Sequence, residues 1–235
     1  NGIRFEGLAN NVVSSGISQY DDLDHGGGNE FGVHTHINPV DPLPPSAVPN
    51  RLDVFAAGRQ FPVPNINFNG VASDLAFMKS AAQGGNGIYF DNSNCGASSN
   101  LGRHIILQTD GNMNVRKVRN YNTTTKNISS EGCGASYVIP DNGVVFVENN
   151  VWVEGTINDR HVTIIAANLG AGSQADMHIG MNNLRYTNYD GRDIIGLIAQ
   201  KNMLVVRNSQ NFFTVDAALM AQSGYVRREW YNSSY

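Results

Sequence analysis

Short runs of apolar and β-branched residues, broken every few positions by Asn, Asp or Gly, mark most of this chain as β-structure. The densest block runs from Val144 to Thr187 and packs VVFVE, VWVEG, HVTIIAA, DMHIG and LRYT between turns at Asn149-Asn150, Gly155 with Asn158-Asp159, Gly170 to Gly172, and Asn182-Asn183. In VWVEG, Val151, Val153 and Gly155 fall on one face, with Trp152 and Glu154 on the other. In HVTIIAA, Val162, Ile164 and Ala166 oppose His161, Thr163, Ile165 and Ala167. Alternation this incomplete implies cover on both faces in places. Such strands can be wound as a β-solenoid or folded as an antiparallel β-sandwich. The Asn-rich corners favour the solenoid, because stacked Asn side chains can hydrogen-bond from one rung to the next.

Elsewhere the pattern is thinner. IRFEG, NVVSS and FGVHTHI predict short strands, with Val33, Thr35 and Ile37 opposing Gly32, His34 and His36. Residues 38–50 hold five of the eight prolines and should run extended over the surface, followed by a strand in RLDVFAAG. One helix is expected over DLAFMKSAAQ, with Ser73 as N-cap, Gly84-Gly85 as stop, and Leu75, Met78 and Ala82 inward. It could close the end of the stack. RHIILQ and NMNVRKVRNY flank an Asp110-Gly111 turn as a hairpin, with Ile106, Met113 and Val115 pairing across it. Asn122 to Gly134 follows as a polar loop, and Phe213 to Gln222 suits either a strand or a short helix. The whole reads as mainly β and one domain over residues 1–235: an N-terminal β part (1–64), a helix-plus-hairpin insertion (65–136) and a C-terminal β-solenoid part (137–235).

The strings GVVFVENNVWVEGTIN and RHVTIIAA, then LRYTNYDG and DIIGLIAQKNMLVVRN, resemble the C-terminal half of bacterial surface proteins related to the PilX-type pilus assembly family. The similarity is clearest over residues 138–222 and weaker through FPVPNINFNGVASDLAFMKSAA. It implies an extracellular, β-rich, solenoid-like ectodomain preceded by a pilin-like helix. The partners it implies are other copies or pilin-type subunits, with membrane attachment only through a segment outside this chain.

Composition agrees with a secreted β protein. Only 15% of the 235 residues are charged and the formal net charge is −4, which gives no electrostatic reason to expect nucleic acid. Cys95 and Cys133 lie in Gly/Ser-rich segments without CxxC or a histidine at ligand spacing, so one disulfide is expected.

Asp21, Asp22, Asp24, His25, Glu30, His34 and His36 form the cluster most suited to Zn or Ca, otherwise a solvated strand face and an acidic loop. On an ideal strand His34 and His36 stand roughly 7 Å apart on one face. A metal bridging them therefore needs the loop to fold back with His25 or a carboxylate. Glu148 and Glu154 could approach Asp176 as a carboxylate group, with Arg160 and His161 at the next turn. Arg116, Lys117 and Arg119 make a small basic patch on the hairpin. Trp152, Tyr186, Tyr189, Trp230 and Tyr231 are aromatic candidates for binding a glycan or another subunit, although Trp152, lying within a strand, better suits core or sheet-face packing. No GxSxG elbow or phosphate loop is present, and no catalytic residues or resident cofactor are expected. The expected role is structural and adhesive; the alternative is a polysaccharide-binding or polysaccharide-degrading β-helix.

Overall fold

The computed structural model describes residues 2–21, 28–64, 69–93, 100–170 and 172–228, with the backbone alone over 69–73. These residues form eighteen strands and one helix, a mainly β protein. The chain divides into two compact units, residues 1–67 and 68–235.

The smaller unit is built from strands of two or three residues: β1 (Ile3–Arg4), β2 (Val13–Ser14), β3 (Gln19–Asp21), β4 (Asn29–Phe31), β5 (Val33–His34) and β6 (Arg59–Gln60). β1 pairs β5 and β2 pairs β6 in parallel, while β3 and β4 are antiparallel. Ala9, Val33, Val54 and Phe55 are its buried centre. The strand expected in RLDVFAAG is instead a turn with one bridge, Phe55 to Ala9. Val54 and Phe55 both donate their backbone N–H to the Arg51 carbonyl, at 3.0 and 2.6 Å, which curls the segment inward.

The larger unit opens with α1 (Asn69–Gln83), followed by β7 (Ile88–Phe90), β8 (Gly102–Leu107), β9 (Asn112–Tyr121) and β10 (Ile128–Val138). β11 (Val144–Val147), β12 (Asn150–Ile157), β13 (His161–Ala166), β14 (Met177–Tyr186), β15 (Ile194–Ala199), β16 (Met203–Val205), β17 (Ala218–Ala221) and β18 (Val226–Arg228) complete it. From β11 onward, odd-numbered strands join one sheet and even-numbered strands the other; every such pair is parallel, which removes the antiparallel sandwich for this segment. β7 and β8 pair in parallel with β11 and β12, so they belong to the two sheets and not to an insertion. Only β9 and β10 add antiparallel strands, at the β8 edge.

Val145, Val147, Val151, Val153, Val162, Ile164, Met177, Ile179 and Leu197 fill the space between the sheets. The opposite faces are covered as well, so the interior-facing alternation is blurred. Leu75 and Ala82 of α1 pack on Phe146, Ile165 and Ile198, on successive strands of the five-stranded sheet. The helix thus lies across that sheet's outer face instead of closing an end. It begins at Asn69, so Ser73 is inside it and not its N-cap; Gly70 costs only about 1 kcal/mol there and does not stop it. Gly85, at φ 91°, supplies the left-handed residue that ends it.

In the hairpin the buried face is Ile105 and Leu107 with Met113 and Val115, one residue out of step with the expected Ile106. The segment expected as a polar loop enters β10 at Ile128, a largely exposed edge strand paired with β9 and also tied down through Glu131 and Tyr137. DMHIG and LRYT are one strand, β14, with a register shift against β12 at Gly155, whose φ is 110°.

Polar corners bridge neighbouring strands. Asn150 Nδ2 donates to the Leu101 carbonyl at 3.2 Å, and its Oδ1 accepts the Asp176 N–H at 2.9 Å. Asp176 Oδ1 in turn accepts the Asn202 N–H at 3.1 Å and its amide at 2.9 Å.

Candidate functional site

Glu30, His34 and His36 converge in the smaller unit. The β3–β4 ladder sets Glu30 across from Tyr20, and Gly32 then turns the chain into β5. A side chain at Gly32 would run into the Ile17 carbonyl, 1.8 Å from an ideal Cβ, so the close crossing requires glycine. Glu30 and His34 are buried, at 5% and 1% exposure, and His36 is half-buried. One ligand atom from each of the three lies within 4.8 Å of the others. The two imidazoles are 4.9 Å apart, centre to centre, with their planes tilted 48° to one another. Tyr20 flanks His34 at 5.4 Å. Burial and then the neighbouring His36 push the His34 pKa down, against the opposing pull of Glu30. Asp21, though expected in this cluster, is exposed at the end of β3 and outside the group; Asp22, Asp24 and His25 lie outside the described residues.

A second charged cluster joins five strands of the larger unit, β8, β9, β10, β12 and β14. His104 on β8 contacts Glu131 of β10 through Nδ1 at 2.5 Å and Glu154 of β12 through Nε2 at 3.5 Å. Arg116 Nη1 meets the other Glu131 oxygen at 3.1 Å, and Asn182 donates to Glu154 at 2.8 Å. Burial alone would lower the His104 pKa, but the two carboxylates outweigh it and hold it raised. Burial would raise Glu154, and the hydrogen bonds from His104 and Asn182 bring it down instead. This is a charge-assisted clamp fastening the hairpin to β12.

Glu148, Glu154 and Asp176 do not form one carboxylate group. Glu148 pairs with Lys79 of α1 at 2.5 Å and accepts from the Tyr89 hydroxyl, while Asp176 serves the corner described above. His161 contacts the Gly191 carbonyl at 3.1 Å. Each of these groups holds a separate part of the fold.

Comparison with protein-family models, curated proteins and solved structures finds no match for this chain. Nothing beyond its own residues therefore assigns it a role.

Sequence reasoning missed Arg103, which nothing in GRHIIL distinguishes from a solvated strand charge. Its guanidinium is buried at 4% exposure, stacks over Phe90 at 5.6 Å and donates from Nη2 to the Asp91 carbonyl at 3.1 Å. Its Nη1 is also buried and has no hydrogen-bond partner among the described residues. It borders an open cleft of about 170 Å³ shared with Arg116, Lys117 and Tyr137.

Among the aromatic candidates, Trp152 is wholly buried and stacks on His178 at 4.3 Å, so it is not a surface platform. Its Nε1 donates to the Lys126 carbonyl at 2.8 Å. Tyr186 is half-buried against the core, and its hydroxyl accepts the Ile195 N–H at 3.1 Å. Tyr189 is 74% exposed; Trp230 and Tyr231 lie outside the described residues. No described cysteine is a free thiol; Cys133 sits on β10, and Cys95 lies outside the described residues.

Proposed function

We propose that this chain is a structural and adhesive protein of the cell surface, and that its larger unit is a β-solenoid presented for self-association or attachment. The single observation that carries this reading is the order of strands: parallel pairs, alternating between two sheets, ending in exposed β17 and β18. Among the described residues no strand pairs the outer side of either. An open parallel edge offers unpaired N–H and C=O groups in register, a template for another copy or for a partner's strand. The resemblance to PilX-type proteins points toward a pilus-associated or filament-forming subunit, and a Cys95–Cys133 disulfide suits an oxidising location. Sedimentation and electron microscopy of the purified chain test this. Concentration-dependent association, lost on Val226→Pro or Leu219→Lys, is the expected result; a monomer at every concentration, or association indifferent to both changes, removes it.

A second reading, an acidic-glycan binder, is favoured by one observation, the positive charge that Arg103, Arg116 and Lys117 bring to one cleft beside Tyr137. Such a group of cations matches a carboxylate or sulfate. Binding of uronate-containing oligosaccharides that Arg103→Gln abolishes would support it over the first.

A further inference from the structure

The geometry assigns a zinc-class divalent metal site to Glu30, His34 and His36. This goes beyond the surface-protein reading and does not depend on it. Two imidazoles and one carboxylate are a recurrent protein ligand set for Zn²⁺, with a fourth position open to water or a further ligand. Calcium, which takes six to eight oxygens, is poorly served by two nitrogen donors.

The distances fit. Three atoms no more than 4.8 Å apart all lie within about 2.8 Å of a common point. Zinc requires roughly 2.0–2.2 Å to nitrogen and oxygen, so each donor has to move inward by well under 1 Å, within the reach of small χ rotations. The donors also come from a stretch of seven residues in which a β-ladder holds Glu30 and β1 pairs with His34. The site is therefore set by local structure, and β1 ties it to the rest of the unit.

The smaller unit has reason to use such a staple. Its strands are two or three residues long, its buried apolar cluster among the described residues is small, centred on Ala9, Val33, Val54 and Phe55, and residues 1–67 contain no cysteine. Units of this size often depend on a metal or disulfides because a core so small contributes little. A metal bound only by the folded form adds stability in proportion to the logarithm of its concentration over its dissociation constant.

The test uses the whole chain, stripped with chelator and titrated with zinc against a chromogenic competitor, with cobalt as a spectroscopic probe. One zinc per chain is expected, together with a zinc-dependent rise in melting temperature. Glu30→Gln and His36→Ala should each weaken binding by at least about tenfold. His161→Ala, an exposed histidine in the larger unit, should leave it unchanged. No binding by the parent chain, or binding equal in the parent and both ligand variants, overturns the assignment. Should both variants fail to fold, X-ray absorption of the zinc-loaded parent decides: a shell containing two imidazoles supports the site, and any other shell overturns it.

Discussion

Acid should destabilise the larger unit in part through His178. It lies on β14 with 1% exposure, its ring 4.3 Å from Trp152 and nearly parallel at 12°. Burial foremost, and then the charge of Lys126, lower its pKa from 6.5 to about 3. The folded state therefore keeps it neutral over a range in which the unfolded chain takes up a proton. Stability rises with pH wherever the unfolded state binds more protons, so this contribution is complete above pH 6.5 and is lost as pH falls toward 3. The full loss is about 5 kcal/mol, at ~1.36 kcal/mol per unit of pKa. Between pH 7.5 and 4.5 it amounts to roughly 2.5–3 kcal/mol.

The assay is urea unfolding at those two pH values, followed by tryptophan fluorescence, for the parent and for His178→Phe. Phenylalanine keeps the stack and cannot protonate. His104 works in the opposite direction, because its raised pKa gives stability below its unfolded value that is lost as pH rises. It is common to both proteins and cancels in the comparison. The parent should lose roughly 2.5–3 kcal/mol more than the variant on acidification. Equal losses would refute the reasoning, whatever their size.

Three further outcomes are expected. Gly155→Ala should destabilise the larger unit by about 3 kcal/mol or more in denaturant unfolding, since φ is 110° and an ideal Cβ lies 2.2 Å from the Leu107 carbonyl oxygen. Asp176→Ala should cost about 1–3 kcal/mol by the same measurement, because the Asn202 N–H and amide lose their acceptor, whereas Asp176→Asn keeps an acceptor oxygen and should cost less. Mass spectrometry should find both cysteines protected from alkylation until the protein is reduced, and reduction should remove about 3–4 kcal/mol by chain-entropy reasoning.

Legibility in the sequence followed the range of the interaction. The strands between Val144 and Ala199 were visible because Val and Ile recur there between Asn and Gly corners, and those runs coincide with β11 to β15. The pairings β7–β11 and β8–β12 were not, since paired residues 48 or more positions apart leave no local trace. The cover over Trp152 has a related origin: the face opposite the core is itself roofed by Tyr121, Ile128 and Val206, which come from distant segments. β10, ISSEGCGASYV, has no apolar period because an edge strand needs only backbone partners. The Glu30–His34–His36 group was the most legible part of the candidate site, its donors being two to six residues apart. Glu131 and Arg103 acquire their surroundings only when β10, β9 and β8 come together.

The polar corners carry more information than their composition suggests. Asn150, Asp176 and Asn202 are spaced by 26 residues and then 26 again, and each link is a side-chain oxygen accepting the backbone N–H of the next residue in the series. Either Asn or Asp supplies that oxygen, so the repeat is one of hydrogen-bonding role and escapes a search for identical letters. Asn168 and Gln200 do the same at another corner, the Gln200 Oε1 accepting the Asn168 N–H at 2.8 Å while its Nε2 donates to the Asn168 carbonyl at 3.1 Å. Such links lock the alignment of strands that parallel pairing alone would let slip by two residues without changing which face is buried. Register in the larger unit is thus set jointly, by aliphatic side chains that choose the face and by amide and carboxylate corners that choose the position along it.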